Sequence, residues 1–441
     1  MSTPLVAIVG RPNVGKSTLF NRLLGRREAI VAALPGTTRD RLFASTSWSG
    51  HPFVLVDTGG LETRPQDPLR QRVKEQVELA MLEADLVVFL LDVAEGLTPM
   101  DEEVAQQLRR LNKPIVVAVN KVDNPARELS AAEFHKLGLG DPVTLSAYHN
   151  TGIDDLMERV TALLPREEPE EPGPEGEVRL AIVGRPNVGK SMLVNAILGQ
   201  ERAIVNEQPG TTRDTLDTSF RYKEQPTVLI DTAGIRRRGG IRAGVEHYSV
   251  LRALRAVERC DIAVLVLDAT ELVAAQDAHI AGLAWEAWKG VIVAVNKWDL
   301  SGTLNLSQER AEREVVHHLH FMSYIPICFT SALQGQGIEH LMETAMDLHR
   351  ERLHRADPEE LHRILTDTLS SHPLPRQGRR FLRIHQATQD GVNPPTFRFT
   401  VNYPDLVHFS YRRYLENRLR EGLGYRRSHL RLTFRSRREA S

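Results

Sequence analysis

Gly10-Arg11-Pro12-Asn13-Val14-Gly15-Lys16-Ser17-Thr18 returns 174 residues later as Gly184-Arg185-Pro186-Asn187-Val188-Gly189-Lys190-Ser191-Met192, and the reading of this pair decides the fold. Two glycines five apart, followed by Lys and Ser, let backbone N–H groups close around phosphate oxygens. The loop then feeds a helix N-terminus, whose dipole favours an anion. Lys16 and Lys190 are placed to neutralise the outer phosphates, and the hydroxyls of Ser17 and Ser191 to ligate Mg2+. One such match could be a chance Gly-rich turn; two matched copies remove that reading. Thr18 becomes Met192 in the second copy, a change expected to matter little because only the backbone contributes there.

The repeat extends outward from these loops. Pro35-Gly-Thr-Thr-Arg-Asp40 recurs at Pro209 to Asp214, and Asp57-Thr58-Gly59-Gly60-Leu61 recurs as Asp231-Thr232-Ala233-Gly234-Ile235. Asn120-Lys121-Val122-Asp123 recurs as Asn296-Lys297-Trp298-Asp299, where the offset has drifted by two. A period this long is a duplicated domain rather than a solenoid. Each copy alternates short apolar runs (Phe53 to Val56, Leu86 to Leu91, Ile115 to Val119; then Thr227 to Ile230, Ile262 to Leu267, Val291 to Val295) with longer helical stretches. Fully apolar strands separated by helices predict an α/β fold, a mainly parallel sheet covered on both faces. The segment 165–178 is rich in proline and like charge, which suits an extended tether. The expected organisation is a first phosphate-binding domain over 1–164, the linker over 165–178, a second such domain over 179–350 and a basic domain over 351–441.

Composition sets the outer bounds. The chain of 441 residues is too long for one core, and its 41% hydrophobic and 26% charged residues fit a soluble globular protein. No apolar run approaches the roughly 18 residues that span a bilayer, and the N-terminus lacks the basic flank of a signal peptide, so no membrane partner and a cytoplasmic location are expected. The two cysteines, Cys260 and Cys328, read as reduced, half-buried thiols of a reducing compartment.

Further motifs fill in the chemistry. Asp57 and Asp231 each end an apolar strand, putting a carboxylate beside the metal and the N–H of Gly60 or Gly234 where a terminal phosphate would sit. Thr38 and Thr212 could close onto Mg2+ when the third phosphate is present, although Thr37 or Thr211 could serve instead. Asp123 and Asp299 can accept hydrogen bonds from guanine N1–H and its exocyclic amine, which adenine cannot offer. Such a site can reject the analogue by on the order of 10⁴, so GTP rather than ATP is expected. Ser146-Ala147 and Ser331-Ala332, each before a Gly-rich turn, would add a backbone N–H to the guanine oxygen.

This ordered set, doubled in one chain and followed by a third domain, resembles the Der or EngA family, double-domain GTPases of ribosome assembly. The resemblance covers essentially the whole chain. It implies a GTP-hydrolysing switch, a monomer acting on the large ribosomal subunit and its rRNA, with Thr38 and Thr212 as the Mg2+-closing residues. Asn13 and Asn187 resemble the asparagines by which related GTPases hold K+ near the phosphates; a turn-forming role after proline is the plain alternative. Where many GTPases place a water-orienting glutamine, this chain has Leu61 and Ile235, so a cation and a partner are implied to complete the site. A GTPase of tRNA modification shares these patterns but would need a cofactor domain, and none is visible. A module in which one copy holds nucleotide without turnover is the second rival.

The copies differ after the second phosphate sensor, where Arg236-Arg237-Arg238 has no counterpart; it is either a solvated face or a nucleotide-gated contact surface. The tail hides a further asymmetry. From Leu348 onward there are 19 Arg, no Lys and 10 Asp plus Glu, against a net charge of -1 for the whole chain. Pro404 to Arg420 resembles the family's KH-like terminal domain, and Arg with Tyr and Phe suits RNA phosphates and bases. Two departures stand out: no Gly-x-x-Gly clamp follows residue 350, and Arg427-Ser428-His429 stands where relatives carry Gly-Thr-Pro. A helix over Leu406 to Leu423 between strands Thr396 to Asn402 and Leu430 to Phe434 is predicted. His317, His318 and His320 are read as a surface helix rather than a metal site.

Overall fold

The computed structural model describes residues 4–25, 43–57, 84–111, 113–165, 176–200, 203–205, 217–232, 245–371, 376–377 and 380–436. Thr37, Thr38, Thr211 and Thr212, the segments 58–61 and 233–240, and most of the linker fall outside these residues. Two compact units are present, one holding the first repeat and the other the second repeat with the basic domain.

In the first unit the strands are β1 (Leu5–Val9), β2 (Phe43–Trp48), β3 (His51–Asp57), β4 (Leu86–Asp92), β5 (Ile115–Asn120) and β6 (Val143–Thr144), in the spatial order β2-β3-β1-β4-β5-β6. All neighbours are parallel except β2 and β3. Every residue of β4 is buried, which is why its sequence is a continuous apolar run: helices cover both faces of a parallel sheet. On one face Val6, Ile8, Leu55, Val88 and Ala118 meet Leu19 and Phe20 of the helix Lys16–Leu24 and Leu156 and Val160 of the helix Ile153–Leu163. Each of the Val, Leu, Ile and Phe side chains contributes roughly 1.5–3 kcal/mol on burial. The helix Pro99–Leu108 starts on a capping box, with Thr98 accepting from Asp101 N–H and Pro99 in the first turn.

The second repeat builds the same sheet from β7 (Val178–Val183), β8 (Ala203–Val205), β9 (Thr218–Tyr222), β10 (Gln225–Ile230), β11 (Ile262–Asp268), β12 (Gly290–Asn296) and β13 (Ile327–Phe329), ordered β13-β12-β11-β7-β10-β9-β8. The predicted parallel core is present in both copies. The antiparallel edge was not foreseen, and its cause is local. Ser49-Gly50 and Lys223-Glu224 take φ of 49° and 81°, and 47° and 68°, the twin left-handed geometry of a two-residue hairpin. In the second copy neither residue is Gly, so the usual signal is missing.

The basic domain carries β14 (Arg376–Gln377), β15 (Arg380–Phe381), β16 (Ile384–Gly391), β17 (Thr396–Val401) and β18 (Arg431–Ser436). The sheet β16-β17-β18 pairs β17 with β18 in parallel and β16 with β17 antiparallel. Its core joins Phe397, Phe399 and Leu432 to Leu361 and Leu365 of the helix Pro358–Ser371 and Leu415 and Leu419 of the helix Phe409–Leu423. The two helices touch closely: a Cβ on Gly422 would sit 2.5 Å from Ile364 Cδ1. The predicted helix thus begins three residues later than expected, after a 3-10 turn at Pro404–Leu406 whose proline opens it.

The basic domain is pinned to the second repeat. His429 stacks against Trp285 and Trp288, with ring centroids 4.6 and 4.2 Å away. Arg420 lies 3.7 Å over the Tyr324 ring. Arg352 is buried; it donates to Trp288 O at 2.8 Å and Asn393 Oδ1 at 2.7 Å, while Asn393 reaches Asp261 Oδ1 at 2.6 Å. The turn at 427–429 is held by Glu351, whose Oε1 accepts from Arg427 N at 2.9 Å and Ser428 N at 2.8 Å. Cys260 and Cys328 are fully buried rather than half-buried, and burial pushes the Cys260 thiol up to about 12. His317, His318 and His320 are exposed, and no metal-holding cluster of His, Cys, Asp or Glu occurs among the described residues.

Candidate functional site

β1 ends at Val9 and the chain must reverse at once into the helix Lys16–Leu24. Gly10 is obligatory there, because a Cβ would stand 2.3 Å from the Leu90 carbonyl oxygen. Gly15 caps the helix at φ 99°, and a Cβ on it would meet Asn120 Nδ2 at 2.4 Å. Lys16 arches back over the loop, donating to Gly10 O at 2.8 Å and Arg11 O at 2.9 Å. The second loop repeats this geometry: Gly189 has φ 95°, and Lys190 donates to Gly184 O at 2.7 Å and Arg185 O at 2.6 Å. A ring of carbonyls satisfied by one ammonium holds that charge at the loop mouth, where phosphate oxygens would be met.

The hydroxyl and carboxylate expected to ligate Mg2+ converge in the first copy. Ser17 Oγ donates to Asp57 Oδ2 at 2.6 Å. Two adjacent ligands of an octahedral Mg2+ at 2.0–2.1 Å sit roughly 3 Å apart, so this hydroxyl and carboxylate fit that ion. In the second copy Asp231 stands at φ 55°, held by a hydrogen bond from its own N–H to Asp217 Oδ1 at 2.9 Å, and Thr232 Oγ1 lies 2.6 Å from Thr218 Oγ1. Asn13 and Asn187 are exposed and left-handed, at φ 67° and 65°, which accounts for Asn after Pro12 and Pro186 by turn geometry alone.

Asn120 ties three motifs together. Its Nδ2 donates to Val14 O at 2.8 Å and its Oδ1 accepts from Ala147 N at 2.9 Å. Asn296 does the same with Val188 O at 2.9 Å and Ala332 N at 3.0 Å. The N–H groups of Ala147 and Ala332, within the pairs expected to offer a backbone N–H to the guanine oxygen, here serve a buried amide that needs a partner for its oxygen. What the Ser-Ala turn visibly adds is a hydroxyl on the carboxylate expected to read the base. Ser146 Oγ donates to Asp123 Oδ1 at 2.8 Å, and Ser331 Oγ to Asp299 Oδ1 at 2.6 Å.

Lys121 and Lys297 sit at φ 65° and 61°, where a non-Gly residue costs about 1–3 kcal/mol. Each is held by an ion pair, Lys121 to Asp92 and Lys297 to Asp268, both at 2.5 Å. Burial would raise the Asp268 carboxyl; the hydrogen bonds from Lys297 and Thr270 outweigh it and hold the group below its ordinary range. Val122 and Trp298, the variable members of the motif, are half-buried, and Trp298 leans on Phe329 at 4.2 Å.

Arg11 and Arg185 point away from the loop mouth. Arg11 pairs with Glu95 at 2.5 Å and with the buried Asp101 at 3.3 Å, and Arg185 pairs with Glu271 and, at 2.9 Å, with the buried Asp277. They brace the loop against the helices Pro99–Leu108 and Ala275–Glu286. Burial lowers the Arg185 pKa, but the bond to Glu271 and the charge of Asp277 raise it more.

A family model described as "50S ribosome-binding GTPase" matches residues 5–121 and again 179–297, and one described as "KH-domain-like of EngA bacterial GTPase enzymes, C-terminal" matches 355–435. GTPase Der of Thermomicrobium roseum is 49% identical over 99% of this chain and 97% of its own length, and GTPase Der of Desulforudis audaxviator is 50% identical over 99% of both. The chain belongs to the Der family of GTPases. Among solved structures, Era in complex with MgGDPNP and a segment of 16S ribosomal RNA aligns with 75% of this chain and 92% of that one, at 22% identity and a TM-score of 0.30, a likeness too loose to add to the family assignment.

As a Der-family GTPase the protein binds and hydrolyses GTP through a duplicated domain. Sequence reading missed the supporting carboxylates of both copies: Asp92 and Asp268, Glu95 and Glu271, Asp101 and Asp277. A signal existed, since each pair is separated by 176 residues, the offset of Asn120 and Asn296. No helix among the described residues is long and apolar enough to cross a membrane.

Proposed function

We propose that both copies are GTP sites of the same design, with Gly10 to Thr18, Asp57 to Leu61, Asn120 to Asp123 and Ser146-Ala147 forming the first and Gly184 to Met192, Asp231 to Ile235, Asn296 to Asp299 and Ser331-Ala332 the second. The observation that carries this is the threefold tie made by Asn120 and repeated by Asn296 at the same two partner positions. Lys16 and Lys190 exchange loop carbonyls for phosphate oxygens when nucleotide enters. Ser17, Asp57 and Thr38 hold Mg2+ in the first site, and Ser191, Asp231 and Thr212 in the second. Bound there, Mg2+ supplies neutralisation of the charge that develops on the phosphates. Asp123 and Asp299 read guanine, and Asn13 and Asn187 hold K+ near the phosphates.

The chain acts as a monomeric cytoplasmic switch in maturation of the large ribosomal subunit, binding the subunit and its rRNA with GTP and leaving after hydrolysis. The family's ribosome-binding description and the arginine-rich KH-like domain support this reading. The domain limits 1–164, 179–350 and 351–441, with the acidic linker between the first two, are kept as its working boundaries. Co-sedimentation of the purified chain with large subunits under a GTP analogue, GDP and no nucleotide tests the switch. Association that ignores the nucleotide removes it.

A further inference from the structure

The two base-reading carboxylates are not equally placed. Asp123 Oδ1 takes the Ser146 hydroxyl, and its Oδ2 is paired with Arg127 Nη1 at 2.7 Å. The same guanidinium nitrogen donates to Lys121 O at 3.0 Å, so Arg127 is fastened to the motif at two points. Its backbone is fixed as well, because Asn124 caps the helix Pro125–Ser130 by accepting from Arg127 N at 3.0 Å. His149 Nε2 stands 4.0 Å from Asp123 Oδ1. Asp299 keeps the serine contact alone: Thr303 occupies the position of Arg127 and Gln334 that of His149, and among the described residues no cation pairs with it.

Guanine recognition through N1–H and the exocyclic amine uses both oxygens of the carboxylate. Where an arginine already sits on one of them, part of that acceptor capacity and charge is spent within the protein. We infer that Arg127 tunes the first site, making it hold guanine nucleotides more weakly and discriminate the exocyclic amine less sharply than the second site does. The inference rests on Asp123 as the guanine reader. The pair is partly exposed, with side chains 39% and 32% accessible, so its influence is that of a surface ion pair. An about two- to five-fold effect is expected, and one that fades with salt.

The test uses the full chain with the second site disabled by Lys190→Ala, titrated with fluorescent GDP and with inosine diphosphate, which lacks the exocyclic amine. Arg127→Ala and Arg127→Gln are each expected to tighten GDP about two- to five-fold and to widen the GDP-to-IDP ratio by a similar factor. Raising salt should shrink the difference from the unsubstituted chain. A long-range charge effect would move GDP and IDP together, and unchanged or weaker GDP binding in both variants overturns the role of Arg127. Asp123→Asn separates the two levels: if it abolishes the GDP preference while Arg127 variants change nothing, the tuning falls and the guanine reader stands. If Asp123→Asn leaves GDP binding intact, the reader itself is wrong.

Discussion

Ser17 Oγ and Asp57 Oδ2 meet at 2.6 Å, although they leave different elements 40 residues apart in sequence. On the proposed reading this hydroxyl and carboxylate act as one ligand pair, so each is expected to fail without the other. Ser17→Ala or Asp57→Ala, with the second site disabled, should lower turnover by on the order of 10² or more, as chelation of Mg2+ should in the unsubstituted chain. Turnover that survives chelation would remove the metal from the account.

Gly15 and Gly189 stand at φ 99° and 95° with an asparagine amide where a side chain would go. Gly15→Ala and Gly189→Ala should each cost about 1–3 kcal/mol, read as a lower melting temperature, and abolish binding at the altered site. Wild-type melting and nucleotide affinity in either variant would show that the close approach to Asn120 or Asn296 relaxes freely.

Lys16→Ala and Lys190→Ala distinguish two working sites from one. If both hydrolyse GTP, each single substitution leaves the turnover of the other copy, and the double variant leaves none. A single substitution that abolishes all hydrolysis would make one copy a passive holder of nucleotide.

Potassium is the next variable. Asn13 and Asn187 are expected to make turnover faster in KCl than in NaCl at equal ionic strength. Equal rates would leave both residues with the turn-forming role that their left-handed backbone already explains.

The interface of the second repeat with the basic domain is expected to respond to acid. Burial lowers His429 to about 3, below the usual ~6.5, so its contribution to stability is complete above ~6.5 and is lost as pH falls through the interval toward 3. Burial lowers His279 and His349 as well, with the same sign. Glu286 works oppositely: burial raises it to about 7, so what it adds is present below ~4.3 and lost as pH rises through 7. His429→Phe keeps a ring against the tryptophans without the proton. The pH dependence of the urea midpoint between 6.5 and 5 should flatten by up to about one proton. Parallel slopes would place the acid sensitivity elsewhere.

The parts legible in the sequence were those written locally. Gly10 and Gly15 announce a phosphate loop because backbone sterics alone require them, and β4 and β5 announce a covered parallel sheet by their unbroken apolar runs. The hairpin at Lys223-Glu224 was hidden because its left-handed turn uses residues that do not advertise it. The hydrogen bond between Ala147 N and Asn120 Oδ1 was hidden because the two lie 27 residues apart and only the folded chain brings them together. The burial of Arg352 was likewise invisible, since nothing next to it in sequence tells of Trp288 and Asn393.

That arginine has a mechanical consequence. Arg352 lies in the last turn of the helix Ile338–Leu353 and grips Trp288 of the second repeat together with Asn393 of the basic domain. Its guanidinium works as a rivet through two plates, so any tilt of one plate against the other must break or bend a buried hydrogen bond.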